Sequence, residues 1–203
     1  YGPAACCGVI PNGVDLLRFA LRRSPADARA PLLYMGRICP EKAPHAAIAI
    51  ARAARRPLWL VGDAGPFPSH QNYFASRIAP HLNGDVRWLP PPSAQSKLDF
   101  LAAAAAVVIP SRIAETSSIA AMEAAASGVP VLAAPIGALP EVVADGETGF
   151  VGDDARLAEA AARHLPAINP RACRQRAERN FDARRMTAAY AGLYRRLARQ
   201  PVH

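Results

Sequence analysis

Two cations and two carboxylates stand just past apolar runs, where ligands of open α/β sheets bind. Arg37 and, five positions on, Lys42 follow the run 32–36 (LLYMG), while Ser111 and then Glu115-Thr116-Ser117-Ser118 follow the run 106–110 (AVVIP). A helix starting at Ser117 or Ser118 would offer free backbone N–H groups and the positive end of its dipole, a ready anion site. A guanidinium fork from Arg37 and the Lys42 point charge, on a neighbouring loop, suit two linked phosphates. Glu123 lies in 119–126 (IAAMEAAA), apolar on every side and so expected to be buried. A carboxylate there is costly unless hydrogen-bonded, and a sugar diol would supply two donors. Glu115, eight residues earlier, would point to the same edge. The four side chains together describe a site for a phosphorylated sugar. A plainer reading stays open: Arg37 and Lys42 on a solvated loop, and Glu123 paired with a structural arginine such as Arg112 or Arg37.

The elements that must position these groups are short apolar runs alternating with Ala-rich segments. The runs are 32–36, 58–62, 86–89, 106–110, 131–134 and a weaker one at 149–151; the segments around 43–55, 70–82, 96–105, 118–127 and 153–164 have helical composition and length. Most runs are apolar on both faces, as in a parallel sheet covered by helices on each side. The pattern predicts a doubly wound α/β domain over 1–165. In such sheets ligands sit beyond the carboxyl ends of the strands. Beyond 165 the chain becomes an Arg-rich tail (166–203), in which Met186, Tyr190, Leu193 and Leu197 predict one amphipathic helix packing on the same domain.

Composition narrows the classes further. The 203 residues are 51% hydrophobic and 20% charged, enough for a real core and too apolar for a disordered chain. No stretch reaches the roughly 18 apolar residues of a membrane span. The net charge of +8 comes almost wholly from the tail, where nine arginines face Glu178 and Asp182; residues 1–165 carry +1. Arg outnumbers Lys 22 to 2, which draws attention to Lys42 and Lys97. Cys6, Cys7, Cys39 and Cys173 show no zinc-ligand spacing, so free thiols in a reducing compartment are expected, and no signal peptide is visible. The chain begins at Tyr1, and a piece of something longer is the expectation.

Five segments in series carry a resemblance: VIPNGVDLLRF from Val9, LLYMGRICPEK from Leu32, LWLVGDAG from Leu58, VVIPSRIAETSSIAAMEAAASGVPVLA from Val107 and GALPEVVADGETGF from Gly137. Together with the E-x7-E spacing of Glu115 and Glu123 they resemble the donor-binding half of family 4 retaining glycosyltransferases, the group 1 transferases, and within them a bacterial subset. The resemblance covers about residues 9–152. It implies a Rossmann-like C-terminal half of a GT-B enzyme of the hexosyltransferase type, with no metal or other cofactor required and a nucleotide-diphosphate sugar as substrate. Arg37 and Lys42 would bind the diphosphate and stabilise the leaving nucleotide. Glu123 would hold the ribose hydroxyls, Glu115 the donor sugar's hydroxyls, and the amides of Ser117, Ser118 and Ile119 the phosphates. Lys97, after Pro90-Pro91-Pro92, is a candidate for the nucleobase pocket. The acceptor, a glycan or a lipid-linked chain, would bind an N-terminal domain that this chain lacks, so the isolated chain is expected to hold donor without efficient transfer. A cytoplasmic location follows, with a peripheral contact at the inner face of the membrane open to the basic tail.

Two departures from the family bear on the site. Thr116, Ser117 and Ser118 replace a common Gly, aromatic and Gly, which limits backbone approach to phosphate and leaves hydroxyls to substitute. Ala43 stands where Gly usually follows the lysine. Among rivals, a dehydrogenase lacks G-x-G-x-x-G after every strand, and Gly62-Asp-Ala-Gly65 does not supply it. His45, His70, His81 and His164 have no ligand spacing, and no nucleic-acid partner is expected. The second reading is a stand-alone nucleotide-sugar binding module, or an inactive remnant, whose basic tail engages membrane or another chain.

Overall fold

The computed structural model describes residues 8–22, 24, 26–27 and 29–198, so Tyr1, Cys6, Cys7 and the last five residues of the tail lie outside the described residues. Six strands, β1 (Leu32–Met35), β2 (Leu58–Val61), β3 (Val86–Leu89), β4 (Ala106–Ile109), β5 (Val131–Ala133) and β6 (Gly149–Val151), form one sheet in the order β3-β2-β1-β4-β5-β6. Every pairing is parallel, with Leu32 opposite both Leu58 and Ala106. The expected doubly wound α/β sheet is present, each strand within a residue of its apolar run.

Alternation along the strands feeds two cores. Leu33, Val107 and Val131 enter one, Leu32, Tyr34, Val108 and Leu132 the other. Each fully buried Leu or Ile contributes about 1.5–3 kcal/mol. Helices α1 (Pro44–Ala53) and α6 (Asp154–Arg163) pack together over the second core, with α2 (Pro68–Arg77) beside them. Helices α3 (Ala94–Ala103) and α4 (Ile119–Ala126) cover the first, and α7 (Pro170–Asn180) lies against α4. Local chemistry sets the starts. Pro68 opens α2 two residues before the expected position, since proline's missing N–H costs nothing in the first turn. The Ser93 side chain accepts from Ser96 N to cap α3, and Asp153 from Arg156 N to cap α6. A four-residue helix, α5 (Leu139–Val142), lies outside the expected helical segments.

The tail corrects the expectation of a single helix. It breaks at Phe181, which is buried in the first core, and restarts as α8 (Ala183–Leu197), capped by Asp182 accepting from Arg184 N. The break is stitched to the N-terminal segment: Val14 N donates to Phe181 O at 2.8 Å and Ala183 N to Val14 O at 3.1 Å. Whereas α7 buries Cys173 and Ala177, α8 buries no residue, and Tyr190, Tyr194 and Leu197 on it are exposed. Among the described residues no helix is long and apolar enough to cross a membrane.

Part of the arginine surplus closes helix ends. Arg22 donates to Leu101 O and Ala104 O at the end of α3, Arg56 to Ala161 O on α6, Arg174 to Ala126 O on α4, and Arg176 to Glu141 O and Val142 O on α5. Terminal carbonyls lack intrahelical partners and sit at the negative end of the dipole, so a guanidinium answers both needs.

Candidate functional site

The strand order reverses between β1 and β4, and the crevice past their carboxyl ends is where the two polar loops emerge. After β1 the chain turns through a 3-10 segment, Pro40–Lys42, that ends at Ala43 in the left-handed region, φ 51 and ψ 48. A Cβ is disfavoured in this conformation, which Ala43 nevertheless adopts. After β4 the loop carries Ser111 to Ser118, and Ser118 precedes α4 without a side-chain cap, which leaves the first-turn amides unclaimed by it. Arg112 N donates to Glu41 O at 2.8 Å and joins the two loops.

Each candidate carboxylate meets a lysine. Lys42 Nζ lies 2.8 Å from Glu115 Oε1, and Ser111 Oγ donates to the same oxygen. Oε2 of Glu115 is left without a partner among the described residues. Lys97, in the first turn of α3, donates to both oxygens of Glu123 at 2.8 and 3.1 Å. Glu123 is buried, as its apolar helix predicts, with 8% of its surface exposed. Neither Arg112 nor Arg37 reaches it; Arg112 pairs with Asp154 on the surface. Arg37 is exposed, and among the described residues its guanidinium makes no hydrogen bond or ion pair. It is therefore the cation most available to an incoming anion.

These groups line two adjoining cavities that share Met35, Gly36, Ile119 and Ala120. One, of about 410 Å³, holds Arg37, Asp63, Pro91, Pro92, Lys97 and Glu123. The other, of about 240 Å³, holds Lys42, Ser111, Glu115, Ser117 and Ser118. Thr116 lines neither; it lines a third cavity, which Ser117 also borders. Nine sequence candidates thus reduce to eight around one crevice.

Gly62 ends the apolar run 58–62 and also lines the first cavity. Its φ is +147°, and a Cβ there would sit 1.9 Å from Gly36 O, so any side chain would force β1 and β2 apart at the cavity wall. Asp63 lines the same cavity, and its position just past a strand end is the sequence signal for it. The Tyr34 hydroxyl donates to Arg37 O at 2.5 Å. Burial, followed by the fields of Cys39, Tyr73 and Glu115, pushes its pKa well above the usual value, so the tyrosine keeps its proton and its hold on the loop. His45 is turned away from the crevice, its Nδ1 2.5 Å from Tyr73 OH. Burial is the main cause of its lowered pKa, with Arg77 and Arg112 adding to it. Among the described residues no group of three or more His, Cys, Asp or Glu gathers as metal ligands would.

Comparison with known proteins bears directly on this arrangement. The family described as Glycosyl transferases group 1 matches residues 29–166, which contain both loops and both carboxylates. The chain belongs to the group 1 glycosyltransferases. It is 35% identical to a glycogen synthase of Mycobacterium tuberculosis, over 99% of this chain and 52% of that protein. It is 36% identical to a D-inositol 3-phosphate glycosyltransferase of Saccharomonospora viridis, over 90% of this chain and 48% of that one. Among solved structures, sucrose-phosphate synthase from Thermosynechococcus elongatus superposes with a TM-score of 0.77 at 26% identity, covering 94% of this chain and 52% of that one. This group 1 glycosyltransferase chain therefore spans about half the length of the curated relatives it matches, and its sheet is the Rossmann-like part of a GT-B fold.

Proposed function

We propose that this chain is the donor-binding half of a retaining glycosyltransferase that moves a sugar from a nucleotide diphosphate to a glycan or lipid-linked acceptor. The observation that carries the reading is the placement of Glu115 and Glu123, each held by a lysine, on either side of the amino end of α4 at the sheet's switch point. Pro91, Pro92 and Glu123 offer a flat wall and an acceptor pair for a nucleoside. Lys97 keeps the Glu123 carboxylate aimed, and a ribose diol can add to the lone pairs it leaves free. The diphosphate falls between Arg37, Lys42 and the first-turn amides of α4. When the bond from the anomeric carbon to the diphosphate oxygen breaks, both electrons go to that oxygen, and these cations and amides stabilise the charge. Glu115 positions the sugar: one oxygen is occupied by Lys42 and Ser111 and the other faces the ligand, and no covalent step is assigned to it.

The chain spans about half the length of its curated relatives, so donor binding without efficient transfer is the expected behaviour of these residues on their own. A cytoplasmic location, with any membrane contact peripheral, fits a nucleotide-sugar donor. The alternative, a nucleotide-sugar module or inactive remnant whose basic tail engages membrane or a partner chain, would have to use α8, since Arg174 and Arg176 of α7 are engaged within the domain.

Calorimetry with UDP, GDP and ADP and with their sugars tests the reading. At least one series should bind, and Glu123→Ala should weaken it about 10- to 30-fold, the loss of two hydrogen bonds to a charged group net of the ribose's return to water. Absence of binding to every series, or binding indifferent to Glu123→Ala, would overturn it.

A further inference from the structure

Ser117 carries a hydrogen-bonding group that folding leaves unused. Its Oγ is sealed from solvent and has no hydrogen-bond partner. A buried hydroxyl in that state is a cost, and native proteins keep few of them without a use. Removal of the hydroxyl would relieve the cost at once, so its presence calls for a partner that arrives later. Ser117 stands between two cavities, the one lined by Thr116 and the one that holds Lys42 and Glu115, and only the second carries a carboxylate oxygen left free, two residues away. Rotation about a single torsion between staggered positions is all that aims the hydroxyl.

Resting on the donor-binding reading above, we propose that the Ser117 hydroxyl contacts the transferred sugar and, with Glu115 Oε2, selects its hydroxyl pattern. Two chemical arguments favour the sugar over the diphosphate. An unused atom of the same cavity, Glu115 Oε2, is a carboxylate oxygen, which repels phosphate and can only accept, so a group between it and Ser117 must donate to one and bond the other. A sugar hydroxyl does both, whereas a phosphate oxygen does not. Further, α4 begins at Ile119, so the amides suited to phosphate lie beyond Ser117 along the chain.

Ser117→Ala tests the proposal, with wild type and variant titrated against the matched pairs UDP and UDP-glucose, GDP and GDP-mannose, and ADP and ADP-glucose. For the pair that wild type binds, the variant should lose about 5- to 10-fold in affinity for the nucleotide sugar and less than about twofold for the bare nucleotide, as for one hydrogen bond. Its ligand-free melting temperature should be no lower than that of wild type. Equal losses for sugar and bare nucleotide, no loss for either, or a variant that melts lower would overturn the assignment of Ser117 while leaving the donor site standing. Failure of wild type to bind any pair would overturn the donor-binding reading itself, and this assignment with it.

Discussion

Arg174→Ala is expected to destabilise the protein by about 3 kcal/mol, the upper part of the range for single substitutions. The Nη1 atom of Arg174 lies 3.2 Å from Leu16 O, 2.9 Å from Phe19 O and 2.9 Å from Ala126 O, while Nε donates to Glu178 at 2.8 Å. One cation thus joins α7, the end of α4 and the N-terminal segment that buries Leu16 and Phe19. Hydrogen bonds from a charged donor contribute roughly 1.5–3 kcal/mol each and are not additive when shared, and the carbonyls left behind are partly desolvated. The melting temperature should fall by roughly 6–12 °C for a chain of this size. Arg174→Met retains the aliphatic stem and removes the donors, so it should lose nearly as much. A variant Met protein close to wild type would show that packing, and not the carbonyl cap, is what Arg174 supplies. Amide exchange should quicken over residues 14–19 in both variants, since that segment loses its tie to α4.

What could be read in advance follows from how far each signal reaches along the chain. Parallel strands buried on both faces are continuous apolar runs, so β1, β2 and β4 announce themselves, and the residues just past them inherit a functional expectation from sheet topology alone. Glu123 could be read as buried because its own helix is apolar all round. Its partner could not: Lys97 is 26 residues away, and only the lay of α3 against α4 brings the ammonium to both oxygens. The resemblance pointed Lys97 to the base pocket, whereas the structure pairs it with the buried carboxylate of Glu123. The tail looked like one helix because the spacing of Met186, Tyr190, Leu193 and Leu197 says nothing of what precedes it. The signal for the break was Asp182, an N-cap type after a large apolar residue. The carbonyl-capping arginines had no local signal, since each partner carbonyl comes from another element, and in composition they pass as surface charge. Lastly, α5 is four residues long, too short for a periodicity to register.

Gly137→Ala is expected to be strongly damaging through the Glu115 loop, although Gly137 lines neither of the two cavities. Its φ is +58°, and a Cβ built on it would lie 2.4 Å from both the N and the O of Glu115. The strained backbone costs about 1 kcal/mol for any L side chain, and forcing a methyl into backbone at that distance adds roughly 1–3 kcal/mol. The displacement cannot be taken up by a flexible side chain, because the atoms met are main chain and Ala138 N is bonded to Glu115 O at 2.7 Å. It must pass into the loop, whose carboxylate is held by Lys42 on one side and Ser111 on the other. The affinity for a nucleotide sugar should therefore fall at least about tenfold, a loss of roughly 1.4 kcal/mol or more. Gly146→Ala separates the two causes: Gly146 also has positive φ, +77°, but a Cβ there meets nothing within 4 Å. Urea unfolding should show about 3 kcal/mol lost for Gly137→Ala against about 1 kcal/mol for Gly146→Ala, and calorimetry should show ligand binding impaired in the first alone. Equal costs for the two, or a Gly137→Ala protein that binds as wild type does, would mean that the contact with Glu115 is not what holds the carboxylate at the crevice.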